Sequence, residues 1–248
     1  MKQDKIKPKF TNKRNSRIGL ITLGTDFRIE KDFNNVIYGK NIDLFVNRIH
    51  CYNPLTNETL VKMADDITDV TKEILPGEKL ECVAYGCTSG AVAAGYESIK
   101  TKINLVKPEA KVTTPITSAI KALKKLSIKK ISIFTPYTQS INQSVVNYFK
   151  ASGVIVNTLH YFDIASDIDI GKVDADYLYQ VLSNLDLEKS EALFISCTAL
   201  PVLDLIEKLE KKLNKLVLSS NQTLIWDALN LAGNDKVVKG YGKLFELN

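Results

Sequence analysis

The sequence predicts an α/β fold of two pseudo-symmetric parallel-sheet lobes, with the active site in the cleft between them. Three observations predict it. Short apolar runs of strand length alternate with helix-period stretches of roughly 10–15 residues, the pattern of βαβ units. The apolar run Val83-Ala84-Tyr85-Gly86 ends in Cys87-Thr88-Ser89-Gly90, and the same pattern returns at Leu193-Phe194-Ile195-Ser196-Cys197-Thr198-Ala199-Leu200, 110 positions on. The run Ile18 to Thr25 is echoed by Ile131 to Thr138 at the similar offset of 113. Two similar offsets imply two lobes of one design related by an approximate two-fold axis. Such an axis brings the carboxyl ends of strands, where open α/β sheets bind ligands, to a common cleft.

The elements follow in order. Arg17 to Thr25 and Ile42 to Ile49 are apolar runs that read as buried strands. Asn53-Pro54 interrupts, and Thr56-Asn57-Glu58 opens a helix to about Leu75, with Leu60, Met63, Ala64, Ile67, Val70 and Ile74 at helical spacing. Pro76-Gly77 stops it. Leu80 to Gly86 is the strand that delivers Cys87, and Ser89 to Lys100 its helix. Thr114-Pro115-Ile116-Thr117 starts a helix running to Leu126. Lys130 to Thr135 is a strand, Ser140 to Ala151 a helix, Val154 to Tyr161 a strand and Asp174 to Leu185 a helix. Glu191 to Ser196 is the strand that delivers Cys197, and Ala199 to Leu213 a helix after it. Leu216 to Leu218 is a last short strand, and Asn221 to Ala232 a helix ended by Gly233. The predicted organisation is a disordered basic tail over 1–16, a first lobe over 17–113 plus 219–248, and a second lobe over 114–218.

Composition narrows the class. The chain has 248 residues, 45% hydrophobic and 25% charged, as in a soluble globular protein. No apolar run approaches the ~20 residues of a membrane span, and the Lys- and Asn-rich start lacks the apolar core of a secretory signal. The net charge of +5 comes largely from Lys2, Lys5, Lys7, Lys9, Lys13, Arg14 and Arg17, leaving the body near neutral. The excess therefore says little about partners; the start of the chain reads as a solvated tail, with a nucleic-acid arm as the alternative, and no nucleic acid or membrane partner is expected. Four cysteines are too few for a disulfide scaffold of this size and lack metal spacing, with only His50 and His160 to join them. A reduced, cytoplasmic enzyme without metal or organic cofactor fits best.

A thiol at a helix N-terminus is favoured as thiolate by the unpaired N–H groups and the peptide dipoles there. Both Cys87 and Cys197 are expected in that setting. Two such sulfurs flanking one carbon can exchange a proton between its faces, or one can attack an activated double bond while the other supplies a proton. Two buried structural cysteines are the bland alternative; the repeated context weighs against it. Cys51 and Cys82 lack the context and read as structural. For a carboxylate, Thr88, Ser89 and Thr198 offer hydroxyls, which serve equally as helix caps. Tyr137 ends a strand at the same edge and either reaches the cleft or packs in the core. Asp26 ends the first strand, where it orients a sulfur, binds an ammonium group or makes a surface turn. Asp163, Asp167 and Asp169 read as a solvated loop, one of which can line the cleft.

These motifs, Ala84-Tyr85-Gly86-Cys87-Thr88-Ser89-Gly90, Thr114-Pro115-Ile116-Thr117, Thr135-Pro136-Tyr137, Phe194 to Leu200 and Ser220-Asn221-Gln222, with Asn53-Pro54, Thr56, Glu58 and Leu60 in support, carry a family resemblance. From about Arg17 to Gly233 the chain resembles the Asp/Glu racemase superfamily, in its maleate cis-trans isomerase and arylmalonate decarboxylase branch, closest to the ectoine-utilisation proteins. The resemblance implies a cofactor-independent homodimer with Cys87 and Cys197 catalytic and Thr88, Ser89, Tyr137 and Thr198 on the substrate carboxylate. Decarboxylases of the branch keep only the second-lobe cysteine, so two cysteines argue for racemase or isomerase chemistry. Maleate isomerases carry substrate-binding Asn residues where this chain has Asp26 and, nearby, Asp167. Acids there would repel a dianion and suit an amino-bearing carboxylate or amino acid; the ectoine-utilisation proteins share them. The expectation is a two-cysteine racemase or isomerase of a small carboxylic acid, amino-substituted forms included. The alternative is a two-lobed binding protein without turnover.

Overall fold

The computed structural model describes residues 3–234 and 236–247. It contains two four-stranded parallel sheets of identical topology. The first has the order β2-β1-β3-β4, from β1 (Ser16–Leu23), β2 (Ile42–Ile49), β3 (Cys82–Gly86) and β4 (Lys111–Thr113). The second has the order β6-β5-β7-β8, from β5 (Lys130–Thr135), β6 (Ile155–Tyr161), β7 (Ala192–Ile195) and β8 (Leu216–Ser219). The echo between Ile18 to Thr25 and Ile131 to Thr138 therefore marks equivalent strands, β1 and β5. Each is flanked on one side by the strand that carries a Cys-Thr, β3 or β7.

The helices of the first half are α1 (Ile29–Ile37), α2 (Asn57–Met63), α3 (Ile67–Lys72), α4 (Thr88–Ala94), α5 (Tyr96–Asn104) and α6 (Pro115–Lys125). Those of the second are α7 (Gln139–Ala151), α8 (Asp167–Gly171), α9 (Ala175–Ser183), α10 (Ile206–Leu213) and α11 (Ser220–Leu231). The β3 strand is buried along its whole length and β7 likewise, because each lies inside its sheet with helices on both faces. The edge strand β6 is largely exposed. Thr114 and Ser219 build capping boxes at the starts of α6 and α11, and Pro115 occupies the first turn of α6. Although α11 follows β8, it packs on α6, β3, β4 and α1. The last strand of the second sheet thus hands the chain back to the first.

The structure departs from the expected elements where tertiary demands override local pattern. The helix expected to start at Ala199 begins only at Ile206; 196–202 is irregular and Leu203–Leu205 is a 3-10 turn. Cys197 has φ of +95°, which a helix cannot use, and Pro201 has no N–H to offer. The helix expected from Thr56 is α2 and α3 with a 3-10 turn at Ala64–Asp66 between them. The helix after Cys87 breaks at Gly95, whose φ is +80°. Three elements were not anticipated: α1, the three-residue β4, and α8, which turns the expected Asp loop into a helix start. Residues 3–15 lie on the surface without regular structure, although Arg14 forms an ion pair with Glu81; Met1 and Lys2 of the expected tail lie outside the described residues.

Candidate active site

The first cysteine is placed by local structure. Strand β3 ends at Gly86, and Cys87 caps α4 in extended geometry, with its Sγ accepting from the Gly90 amide at 3.3 Å. Ser89 Oγ lies 3.8 Å from the same sulfur. Gly90 is required here: a Cβ would sit 2.9 Å from Cys87 Sγ and 2.9 Å from the Tyr85 hydroxyl. The end of the β3 strand and the first turn of α4 therefore press a thiol and a phenol against bare backbone.

The second cysteine is placed by distant residues. The Cys197 amide donates to Ser220 Oγ at 3.0 Å, and the Thr88 hydroxyl donates to the same oxygen at 2.8 Å. One serine at the start of α11 thus ties the two Cys-Thr motifs together. Asn221 Nδ2 donates to the Thr198 carbonyl at 2.8 Å and to Asp32 Oδ2 at 2.7 Å. The Thr198 hydroxyl donates to the Gly86 carbonyl at 3.3 Å, which closes the join from the other side. The Tyr137 hydroxyl accepts from Ser196 Oγ at 3.5 Å, and Tyr137 favours the Cys197 thiolate. Ser220, Asn221 and Asp32 are the residues that sequence reasoning missed as site builders. Ser220-Asn221 stood out there only as a motif, and no local signal connects it to Cys197.

The two acids come from opposite lobes. Asp26, after β1, accepts from the amides of Arg28 at 2.7 Å and Ile29 at 3.1 Å, both through Oδ1, and so starts α1. Asp167, at the start of α8, accepts from the Thr25 hydroxyl at 2.5 Å, and its amide donates to Asn53 Oδ1 at 3.3 Å. Both are buried, at 1% and 2% exposure, while Asp163 and Asp169 are exposed. Each of the two raises the pKa of Cys197, and Asp167 also that of Cys87, so the charge on these acids opposes the thiolates. Cys51, expected to be purely structural, belongs to the same surroundings: the Thr25 hydroxyl favours its thiolate, and Asp167 and Asp26 oppose it.

The expectation of thiolate-prone cysteines is corrected by this burial. Cys87 and Cys197 are each 4% exposed. Desolvation pushes Cys87 up to about 12 against the opposing Gly90 amide and Ser89 hydroxyl. Cys197 lies well above an ordinary thiol for the same reason, against the opposing Ala199 amide and Tyr137 hydroxyl. Burial also raises Tyr137, and lifts Asp167 to about 6 and Asp32 to about 7. Thr88, Ser89, Tyr137 and Thr198 are all buried with the sulfurs, but the Thr88 and Thr198 hydroxyls are engaged within the protein. The site residues are thus buried together in this conformation. Among the described residues no group of three or more His, Cys, Asp or Glu side chains is arranged to hold a metal.

Two matching α/β lobes joined over a pair of buried cysteines define a protein of the Asp/Glu racemase superfamily, in its maleate isomerase and arylmalonate decarboxylase branch. Within that branch the chain belongs to the arylmalonate decarboxylase (Amdase) family, whose sequence model matches residues 56–245. It is 26% identical over 198 residues to a maleate isomerase of Geobacillus stearothermophilus, covering 77% of this chain and 78% of that one. It is 26% identical over 137 residues to an arylmalonate decarboxylase of Bordetella bronchiseptica, covering 54% of this chain and 57% of that one. The fold matches that of a Nocardia farcinica maleate cis-trans isomerase, a Cys-to-Ser variant with a covalently bound succinylcysteine intermediate. That match has a TM-score of 0.86 at 20% identity and covers 93% of this chain and 98% of the other.

Proposed function

We propose that the protein is a cofactor-independent isomerase or racemase of a small carboxylic acid, and that Cys87 and Cys197 perform the reaction. The observation that carries this reading is the Ser220 bridge, which holds the two Cys-Thr motifs against one another through a single oxygen. Two routes use the pair. In the first, the thiolate of one cysteine removes the proton from one face of the substrate carbon. The thiol of the other then delivers its own proton to the opposite face, so the sulfurs exchange protonation state. In the second, one thiolate adds to a C=C bond and the other thiol protonates the neighbouring carbon. Rotation about the resulting single bond and reversal of both steps give the other geometric isomer. The succinylcysteine held by the Nocardia relative supports the second route. Tyr137, buried with Cys197, favours its thiolate. Ser89 and the backbone amides beside it bind the carboxylate; Thr88 and Thr198 hold the frame.

The test is proton NMR in D2O with maleate and with both enantiomers of aspartate and glutamate. The wild type exchanges the proton on the reacting carbon or interconverts the isomers, and Cys87→Ala and Cys197→Ala each abolish this. Full activity in either variant overturns the paired mechanism. One observation favours a second reading, a two-lobed binder without turnover: both thiols are desolvated and far from thiolate. In that case ligand affinity survives both substitutions and no exchange occurs with any of these acids. The resemblance to the branch also supports a homodimer in the cytoplasm, nearest the ectoine-utilisation proteins; light scattering reads the oligomeric state.

A further inference from the structure

We propose that Asp26 and Asp167 form a cation-accepting subsite beside the two sulfurs, and that the substrate is a small carboxylic acid whose amino group is held there as ammonium. This rests on the two-cysteine reading above and adds to it the class of substrate.

Asp26 and Asp167 are almost fully buried, and neither forms an ion pair with a basic side chain among the described residues. The two nearest guanidinium groups are committed elsewhere. Arg48 donates to the Leu23 and Asp26 carbonyls at 3.1 and 2.7 Å and pairs with Glu30, and Arg28 donates to the Gly171 carbonyl at 3.1 Å. Asp26 Oδ2 is buried without any hydrogen-bond partner, while Oδ1 is saturated by two amides. The Thr198 hydroxyl lies near enough to favour this carboxylate, but its hydrogen bond goes to the Gly86 carbonyl. A second orphan stands on the first-lobe side: the Tyr85 hydroxyl is buried beside Cys87 with no partner. Buried polar atoms in native proteins are satisfied by protein, water or ligand, and a buried charge needs an opposite one. Here an acceptor oxygen and a hydroxyl await partners around a pair of thiols. An ammonium group answers both the orphan oxygen and the charge of two buried carboxylates that form no ion pair among the described residues. A second carboxylate on the substrate, placed there, would meet repulsion instead.

Charge gives the test its sign. The charge of Asp167 bears on Asp26, Cys87, Cys197 and Cys51, with no balancing cation among the described residues; that of Asp26 bears on Cys197, Cys51, Asp32 and Asp167, with Arg48 opposing it. Ionised acids attract ammonium, so binding of an amino acid strengthens as pH rises through about 6, where Asp167 loses its proton. If protonated acids instead donated to a substrate carboxylate, binding would weaken over the same range.

The experiment is titration calorimetry of the full chain with alanine, aspartate and glutamate, as both enantiomers, against propionate, succinate and glutarate. At least one amino acid is expected to bind about tenfold or more tighter than its deaminated counterpart at neutral pH. Asp167→Asn, which keeps an oxygen for Thr25, and Asp26→Asn each erase that preference. Binding of aspartate, whose own charge is constant from about pH 5.5 to 7.5, tightens across that window. The proposal is overturned if no amino acid is preferred, if the preference survives both substitutions, or if aspartate binds more tightly at the acid end. An amino preference without isotope exchange removes the two-cysteine reading and leaves the subsite. Exchange on dicarboxylates without an amino preference does the reverse.

Discussion

The two Cys-Thr motifs are near copies in sequence and are held by different means. At the first, strand β3, the cap geometry of Cys87 and the Gly90 amide lie within a few residues and position the sulfur, while the neighbouring Thr88 reaches out to Ser220. At the second, the strand ends but no helix follows; Cys197 takes φ of +95° and is fastened by Ser220 and Asn221, more than twenty residues on. A cysteine that is positioned locally in one lobe is thus held by distant residues in the other. The irregular backbone of 196–202 is kept in place by α11, which carries the clamp across to the first lobe.

Substitutions at the two motifs separate local from distant support. The largest effect falls on the sulfurs themselves. Cys87→Ala and Cys197→Ala are each expected to lower kcat by at least about a thousandfold, and the double variant by little more, because the two act as a unit. Unequal losses would assign the chemistry to one lobe. Next comes the clamp. Ser220→Ala leaves the Thr88 hydroxyl and the Cys197 amide without an acceptor in a dry interior, at a cost of about 1–3 kcal/mol in urea unfolding. Because the second motif depends on that oxygen, kcat is expected to fall about tenfold or more with KM changing less. Unchanged unfolding and turnover would show that Cys197 is held locally after all.

The smallest effect is electrostatic. Asp32, which holds Asn221, has its pKa raised from 3.8 to about 7 by burial. Between those values the folded chain keeps a proton that the unfolded chain has released. The contribution of Asp32 to stability is therefore fully present below about pH 4 and is lost as pH rises through 7. Asp32→Asn, which still offers Asn221 an oxygen, is expected to match the wild type near pH 4 and to be more stable by on the order of 2 kcal/mol at pH 8. Urea midpoints measured across that range give the slope; a difference independent of pH would mean that Asp32 is ionised throughout.

How much of this was legible in the sequence follows the same division. The bounds of β2 and β5 were readable to the residue, and the lobe symmetry was readable from the spacing of repeated runs. Helix α1 was readable in principle, since Ile29, Phe33, Val36 and Ile37 recur at helical spacing, but its first amides are received by the Asp26 carboxylate, which the sequence alone offers equally as a turn. The segment after Cys197 carries helical periodicity at Leu200, Leu203 and Ile206, and the pattern misleads there because hydrogen bonds from α11 decide the backbone. Sequence also cannot show desolvation: a cysteine beside free amides reads as thiolate-prone until its burial is known. For the same reason Asp167 reads as a solvated loop residue, although the opposite lobe covers it through Thr25.

The most direct test of two sulfurs serving one ligand is protection from alkylation in the wild-type chain. Iodoacetamide labelling of Cys87 and Cys197 is followed by peptide mass spectrometry at mildly alkaline pH while aspartate, or maleate if it binds more tightly, is titrated in. Both cysteines are expected to be shielded with the same half-saturating concentration. Shielding of one cysteine while the other is labelled at its unliganded rate would contradict it.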